Sequence, residues 1–359
     1  MIQNGRQKVF VGLSGGVDSS VAALLLLRAG YEVIGVHIRG YNVDGCGDID
    51  AEYARRSAEV LKIPFYVWNM EEEYKRAVVD YMISSYKNGI TPNPDVMCNK
   101  EIKFGLFMRK AMEMGADYIA TGHYVLQKQS GGNSKLFIAN DLNKDQTYFL
   151  WTLSQDQINR SLFPVGPYQK SEIRTFASFA HLPTANKKDS QGICFLGDVS
   201  MRDFLKAYIQ TDPGPIVTTE GRVIGEHEGL SFYTIGQRHL GVKVVTGKKG
   251  NEPTIARYVI DKDIKTNSLI VAEGGDNPAL FSEGVNLAEI NFTSKEIPNR
   301  PIEVMARVRY RQPLFPATLI QGEKNWRLDF KEPQKFIAKG QSAVFYSEQG
   351  EMVGGGVIV

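Results

Sequence analysis

The first two hundred residues alternate between short apolar runs rich in β-branched residues and longer stretches with helical spacing, the pattern of a parallel sheet wrapped by helices. Lys8 to Gly12 (KVFVG) reads as a strand, Val17 to Ala29 as a helix, Glu32 to Ile38 as a strand, Ala51 to Leu61 as a helix and Phe65 to Trp68 as a strand. Further helices are expected over Glu71 to Tyr86 and Lys100 to Met114, and a further strand over Asp117 to Ala120. The fold class is therefore α/β, built on a doubly wound parallel sheet. Ligands of open sheets sit at the carboxyl ends of the strands, where the turn after Gly12 and the segment Thr121-Gly122-His123 both fall.

After about Ala207 the pattern changes. Pro213, Gly214 and Pro215 break the chain, and short strand-like runs separated by Gly, Asn and Asp replace the helices. Thr211 to Ala272 is rich in turns, and the remainder is β-patterned to the end. Glu303 to Tyr310 (EVMARVRY) alternates, with Val304, Ala306, Val308 and Tyr310 on one face and Arg307 and Arg309 on the other. The expected organisation is a nucleotide-type domain over 1–207, a small β-rich central domain over 208–273 and a C-terminal β-barrel over 274–359.

Composition narrows the classes. A chain of 359 residues suits two or three domains, and 43% hydrophobic with 23% charged residues is a globular profile, against disordered or collagen-like readings. The apolar run Val21 to Leu27 is too short to span a bilayer and follows a glycine-rich turn, so neither a membrane segment nor a signal peptide is expected. Cys46, Cys98 and Cys194 form neither an even set nor a CxxC motif, which argues against a disulfide scaffold or closed zinc site and favours a reducing, cytoplasmic setting. A net charge of +2 does not by itself announce a nucleic-acid partner.

The candidate chemistry begins at Ser14-Gly15-Gly16-Val17-Asp18-Ser19-Ser20, between the first strand and first helix. Two glycines let the backbone approach a polyphosphate, the hydroxyls and following helix N–H groups can donate to its oxygens, and Asp18 can hold Mg²⁺. The loop is neither a Walker A nor a dinucleotide motif. It resembles the SGGxDS loop of the PP-loop ATP pyrophosphatases, whose members pass AMP to a substrate oxygen. A plain glycine turn explains the glycines but not the surrounding hydroxyls and acid.

Two cysteines lie in polar surroundings. Cys98 follows Pro92-Asn93-Pro94-Asp95, read as an extended loop with Asn99 opening the next helix and with Lys100 and Lys103 favouring the thiolate. Cys194 lies in Lys187-Lys188-Asp189-Ser190-Gln191-Gly192-Ile193-Cys194-Phe195. A cysteine taken alone is often a buried small hydrophobe; two in such settings beside a nucleotide loop suggest reactive thiols. Cys46, flanked by acids that would raise its pKa, reads as an incidental loop thiol.

The chain resembles the bacterial MnmA/TrmU tRNA 2-thiouridylase family over essentially its whole length. The resemblance is carried by GLSGGVDSS (Gly12 to Ser20), TPNPDVMCNKEIKF (Thr91 to Phe104), DYIATGHY (Asp117 to Tyr124), NKDQTYFL (Asn143 to Leu150), KKDSQGICF (Lys187 to Phe195), GQR (Gly236 to Arg238), RYRQ (Arg309 to Gln312) and GQSAVFY (Gly340 to Tyr346). It implies that ATP adenylates the C2 oxygen of a wobble uridine. A Cys194 persulfide, loaded by a sulfur-carrier protein, then delivers sulfur, with Cys98 as partner thiol and Asp95 as proton shuttle or loop anchor. ATP contacts are implied for Gly12, Leu13, Ser14, Gly15, Gly16, Val17, Asp18, Ser19, Ile38 and Gly122. The target base is implied to meet Asn93, Pro94, Asp95, Lys144, Asp145 and Gln146, and tRNA to meet His123, Arg309, Tyr310 and Gln341. Arg307, Arg309 and Arg311, at period two, suit phosphate contact. Two alternatives stand beside this: another PP-loop ligase, which would need no cysteine pair, and an iron-sulfur cluster on Cys98 and Cys194 with Asp95 as oxygen ligand.

Overall fold

The computed structural model describes residues 5–41, 46–189, 199–241, 255–294, 301–323 and 325–359. Five parallel strands form the first sheet: β1 (Lys8–Gly12), β2 (Glu32–Arg39), β3 (Phe65–Asn69), β4 (Tyr118–Ala120) and, after the hairpin β5 (Leu126–Ser130) and β6 (Asn133–Phe137), the short edge strand β7 (Ser161–Leu162). Their order is β3-β2-β1-β4-β7. Central β1 is buried on both faces, so Val9, Phe10 and Val11 are apolar without alternation.

Each face of the sheet has its own core. Val9, Val11 and Leu13 point to a layer made by α1 (Val17–Arg28), α2 (Cys46–Leu61) and, much later in the chain, Ile173 and Ala177. Phe10, Val36 and Trp68 point to the opposite layer, made by α3 (residues 71–87) and α4 (residues 94–113). Both of these helices carry an internal wide turn, Lys75–Val79 in α3 and Cys98–Phe107 in α4.

The start of α4 corrects the expected loop. Asn93, not Asn99, caps this helix: its Oδ1 accepts from Val96 N at 3.3 Å, and Pro94 takes the first turn, where its missing N–H costs nothing. Asp95 and Cys98 consequently ride on a helix, and Asn99 is turned inward to donate to the Phe149 carbonyl at 3.1 Å. Likewise α2 begins at Cys46, one turn before the expected start at Ala51; the Cys46 side chain lies outside the described residues.

Three more helices complete this part: α5 (Gln155–Asn159), α6 (Lys170–Phe179) and α7 (Met201–Lys206). A four-stranded sheet follows, of β8 (Gly214–Thr218), β9 (Val223–His227), β10 (Arg257–Asp263) and β11 (Ser268–Glu273) in the order β10-β11-β8-β9. The last six strands, β12 (Phe281–Phe292), β13 (Ile302–Arg307), β14 (Phe315–Gln321), β15 (Trp326–Lys335), β16 (Ser342–Tyr346) and β17 (Met352–Ile358), close into a barrel. Closure leaves no unpaired edge. Among the described residues no helix is long and apolar enough to cross a membrane.

The barrel also corrects the arginine stripe. Strand β13 stops at Arg307, and that residue packs on the first part of the chain instead of facing solvent, while Glu303 on the same face is exposed. Arg307 Nη1 meets Asp145 Oδ2 at 3.1 Å, with the two side chains 8% and 1% exposed. Arg309 donates to the carbonyls of Phe336 (3.0 Å) and Ile235 (2.6 Å), joining the barrel to the segment before β10. Of the three arginines, only Arg311 is exposed.

A buried carboxylate that loses its cation is expensive, which sets the size of the effect at this joint. Arg307→Ala is expected to lower the unfolding free energy by about 3–5 kcal/mol in urea melts. A loss below about 1 kcal/mol, the surface-pair range, would show that the pair contributes only as an exposed one does.

Candidate active site

The carboxyl ends of β1, β2 and β4 lie side by side, and each supplies part of one site. Gly12, Leu13, Ser14, Gly15, Gly16, Val17, Asp18 and Ser19 run off β1 into α1; Ile38 sits near the end of β2; Gly122 follows β4. The loop is shaped by its own hydroxyls. Ser14 Oγ lies 3.1 Å from Ser19 Oγ, Ser19 Oγ also accepts from Ser14 N at 3.2 Å, and Ser20 Oγ donates to the Gly16 carbonyl at 2.9 Å. Gly15 has φ +74°, and a Cβ there would run into the Asp50 backbone. Gly122 is equally constrained, since a Cβ would stand 2.6 Å from Ser19 N. The result is a close-packed glycine and hydroxyl turn leading into the α1 N-terminus, the kind of strand-to-helix turn that can bind phosphate.

Around the loop stands a set of cations, of which Lys144 and Lys187 lie in sequence motifs and Lys170 and Arg174 in none. Lys170, the first residue of α6, reaches both Asp18 oxygens at 2.7 and 2.8 Å and Asp189 at 3.0 Å. Asp189 is also held by Lys144 at 2.7 Å and Arg174 at 2.6 Å. Burial pushes the Asp189 carboxyl up, but the bonds from Lys144 and Lys170 prevail and hold it below the usual carboxylate range. Lys187 bonds the Gly15 carbonyl at 3.0 Å and pairs with Asp50. Tyr124 donates to Asp18 at 2.8 Å, and burial together with the Asp18 charge pushes its phenol up, so it remains a donor. Lys170 opens α6, 152 positions after Asp18, and nothing in the sequence around it marks the pairing.

Mg²⁺ usually takes one or two carboxylates and fills its remaining sites with phosphate oxygens and waters. Asp18 fits as that single protein ligand, with its charge now matched by Lys170. Among the described residues no group of three His, Cys, Asp or Glu side chains stands ready to hold a metal without substrate.

Helix α4, which carries Cys98, comes close to the end of β4 through its middle turns. Lys103, on α4, acts electrostatically on both Asp95 and His123, and the Phe104 ring lies 5.9 Å from the His123 ring. His123 directly follows Gly122, so α4 borders the strand ends that form the nucleotide loop. Cys98 is 3% exposed and part of the core under α3 and α4, not in the polar loop that was expected. Burial raises the Asp95 carboxyl against the pull of Lys103. Cys194 lies outside the described residues.

Family models match the chain in three consecutive pieces: a tRNA methyl transferase HUP domain over residues 7–198, a tRNA methyl transferase PRC-barrel domain over 202–273, and an aminomethyltransferase beta-barrel domain over 282–358. The tRNA-specific 2-thiouridylase MnmA of Proteus mirabilis is 44% identical over 369 residues, covering 100% of this chain and 98% of its own. That of Idiomarina loihiensis is 43% identical over 367 residues, covering 99% and 97%. This chain belongs to the MnmA family of tRNA-specific 2-thiouridylases.

Membership in the MnmA family directs attention to the residues expected to meet tRNA, and several of them are occupied within the protein. His123 is buried, lies 2.7 Å from Thr121 Oγ1, and is held neutral by burial, its pKa well below the ordinary histidine value. Asp145 is buried, accepts from Ala139 N (3.2 Å) and Thr147 Oγ1 (3.0 Å), and pairs with Arg307. In this structure these two are internal ties and not exposed side chains. Gln146 accepts from Tyr124 N at 3.0 Å, and Gln341 donates to the loop before α4. Tyr310 lies against Phe149 with ring centroids 4.5 Å apart. Lys144, half-buried beside Asp189, is the member of this group that faces the nucleotide loop.

Proposed function

We propose that this chain catalyses ATP-dependent 2-thiolation of the wobble uridine of tRNA. The observation that carries the reading is the phosphate-shaped loop with its ring of cations, bordered by a helix bearing Asp95 and Cys98, in a chain of the MnmA family. Backbone N–H groups of residues 14–19 and the side chains of Lys170 and Lys187 hold the triphosphate. Mg²⁺, held by Asp18 and phosphate oxygens, would neutralise charge on the departing pyrophosphate. The uracil C2 oxygen attacks the α-phosphorus; pyrophosphate leaves, and the oxygen becomes part of AMP, a far better leaving group than oxide. Phosphates take over Lys144, Lys170 and Arg174 from Asp189.

Sulfur then enters at C2. The terminal sulfur of a Cys194 persulfide, loaded by a sulfur-carrier protein, attacks C2 and AMP departs. The Cys98 thiolate attacks the Cys194 sulfur, releasing the thiocarbonyl of 2-thiouridine and leaving a Cys98–Cys194 disulfide. Two electrons from a cellular thiol reductant reset the pair. Asp95, with its raised pKa, takes or returns the proton of the Cys98 thiol. The buried state of Cys98 keeps it from premature oxidation until substrate opens its helix end.

The deciding experiment incubates purified protein with unmodified tRNA, ATP, Mg²⁺ and a persulfide donor. AMP, pyrophosphate and 2-thiouridine in equal amounts are expected. ATP conversion to ADP, or AMP formed with uridine left unmodified, would overturn the proposal.

A further inference from the structure

Among the contacts between the barrel and the catalytic part of the chain, one set holds the short segment that leads into α4. Thr91 N donates to the Lys339 carbonyl at 3.0 Å, and Gln341 Nε2 donates to the carbonyls of Thr91 at 3.1 Å and Pro92 at 2.8 Å. Between them Gly340 (φ +87°) approaches so closely that a Cβ would collide with the Ile90 side chain. The gripping loop is itself fixed to the barrel: Gly340 N donates to the Ile358 carbonyl and Ile358 N to that of Gln341, both at 2.8 Å. The next residue along the gripped segment, Asn93, caps α4.

We propose that Gln341 is a positioning residue for sulfur transfer, holding the Thr91 and Pro92 carbonyls so that α4 presents Asp95 and Cys98 in one fixed register; this rests on the thiolation reading above. The chemistry of the segment explains why an amide is suited to the task. Pro92 and Pro94 have no N–H, so the stretch cannot order itself through a regular ladder and is rich in acceptors. A glutamine amide offers two N–H donors in one plane, and here two successive carbonyls receive them. With both donors used, only the Gln341 oxygen can meet RNA unless the grip on the loop is released. The catalytic helix is thereby tied to a residue of another domain, about 250 positions later in the chain.

The test uses full-length protein carrying Gln341→Leu, which keeps the bulk and loses both donors, and the milder Gln341→Asn, which keeps the amide but is one methylene short. Three quantities are read: the single-turnover rate of 2-thiouridine formation at saturating tRNA, the Kd for tRNA, and the rate of iodoacetamide labelling of Cys98 without tRNA, by peptide mass mapping at matched Tm. Gln341→Leu is expected to slow single turnover by about tenfold or more and to speed Cys98 labelling by about fivefold, with Kd within about twofold; Gln341→Asn falls between. A Kd weakened by about tenfold with single turnover unchanged would make Gln341 a direct RNA contact and overturn the proposal, as would no change in labelling. Wild-type protein that forms no 2-thiouridine would sink the thiolation reading, while the labelling comparison still decides the grip.

Discussion

Cys98→Ser and Cys194→Ser are each expected to cut 2-thiouridine formation by a factor of about 10³ or more, with tRNA affinity within about twofold of wild type. A hydroxyl neither carries a persulfide nor displaces sulfur from one at neutral pH, so each variant halts at a defined point. Cys194→Ser cannot be loaded, and adenylated tRNA accumulates or is hydrolysed to AMP. Cys98→Ser accepts sulfur on Cys194 but cannot resolve the bridged intermediate. The prediction separates the two-thiol route from the reading of Cys98 as a packing residue, which its 3% exposure makes physically reasonable. For a packing cysteine, serine would lower stability and leave turnover of the folded fraction intact. Quantification of 2-thiouridine by mass spectrometry, beside a melt of the same preparations, distinguishes these outcomes. Wild-type turnover by either folded variant would remove that residue from the chemistry.

The second large effect concerns the phosphate end. Asp18→Ala and Lys170→Ala are each expected to cut adenylation by about 10²–10³, the size seen when one preorganised charged contact to a developing anion is lost. The two variants differ in what they leave behind. Without Asp18, Lys170 keeps Asp189; without Lys170, both Asp18 and Asp189 lose an ion pair, so stability also falls. Pyrophosphate release measured with and without tRNA gives the readout. Normal release by Asp18→Ala would show that this carboxylate has no part in handling the nucleotide.

Much of this site could be read from the sequence because it is local. The strand of Lys8–Gly12, the helix of Val17–Arg28 and the loop between them are contiguous, and their chemistry depends on neighbours in the chain. What escaped was set by distant packing. The Asn93-Pro94 pair suits an extended loop and a helix start alike, and the sheet layer beneath α4 favours the helix. The alternation of Arg307 and Arg309 cannot distinguish solvent from another domain, and Asp145 lies 162 positions away. Lys170 and Arg174 carry no motif, Asp189 lies in the KKDSQGICF stretch, and only the fold gathers the three around Asp18. Family resemblance supplied the role of Gln341 as an RNA neighbour, whereas its two bonds to the Thr91–Pro92 carbonyls exist only in three dimensions.

The most direct measurement of the two-thiol claim is peptide mapping of the protein after one turnover, with persulfide-loaded enzyme, ATP and unmodified tRNA, quenched by acid and alkylated without reductant. The account predicts a Cys98–Cys194 disulfide in equal amount to the 2-thiouridine formed. Full yield of 2-thiouridine with both cysteines recovered as alkylated thiols would contradict it.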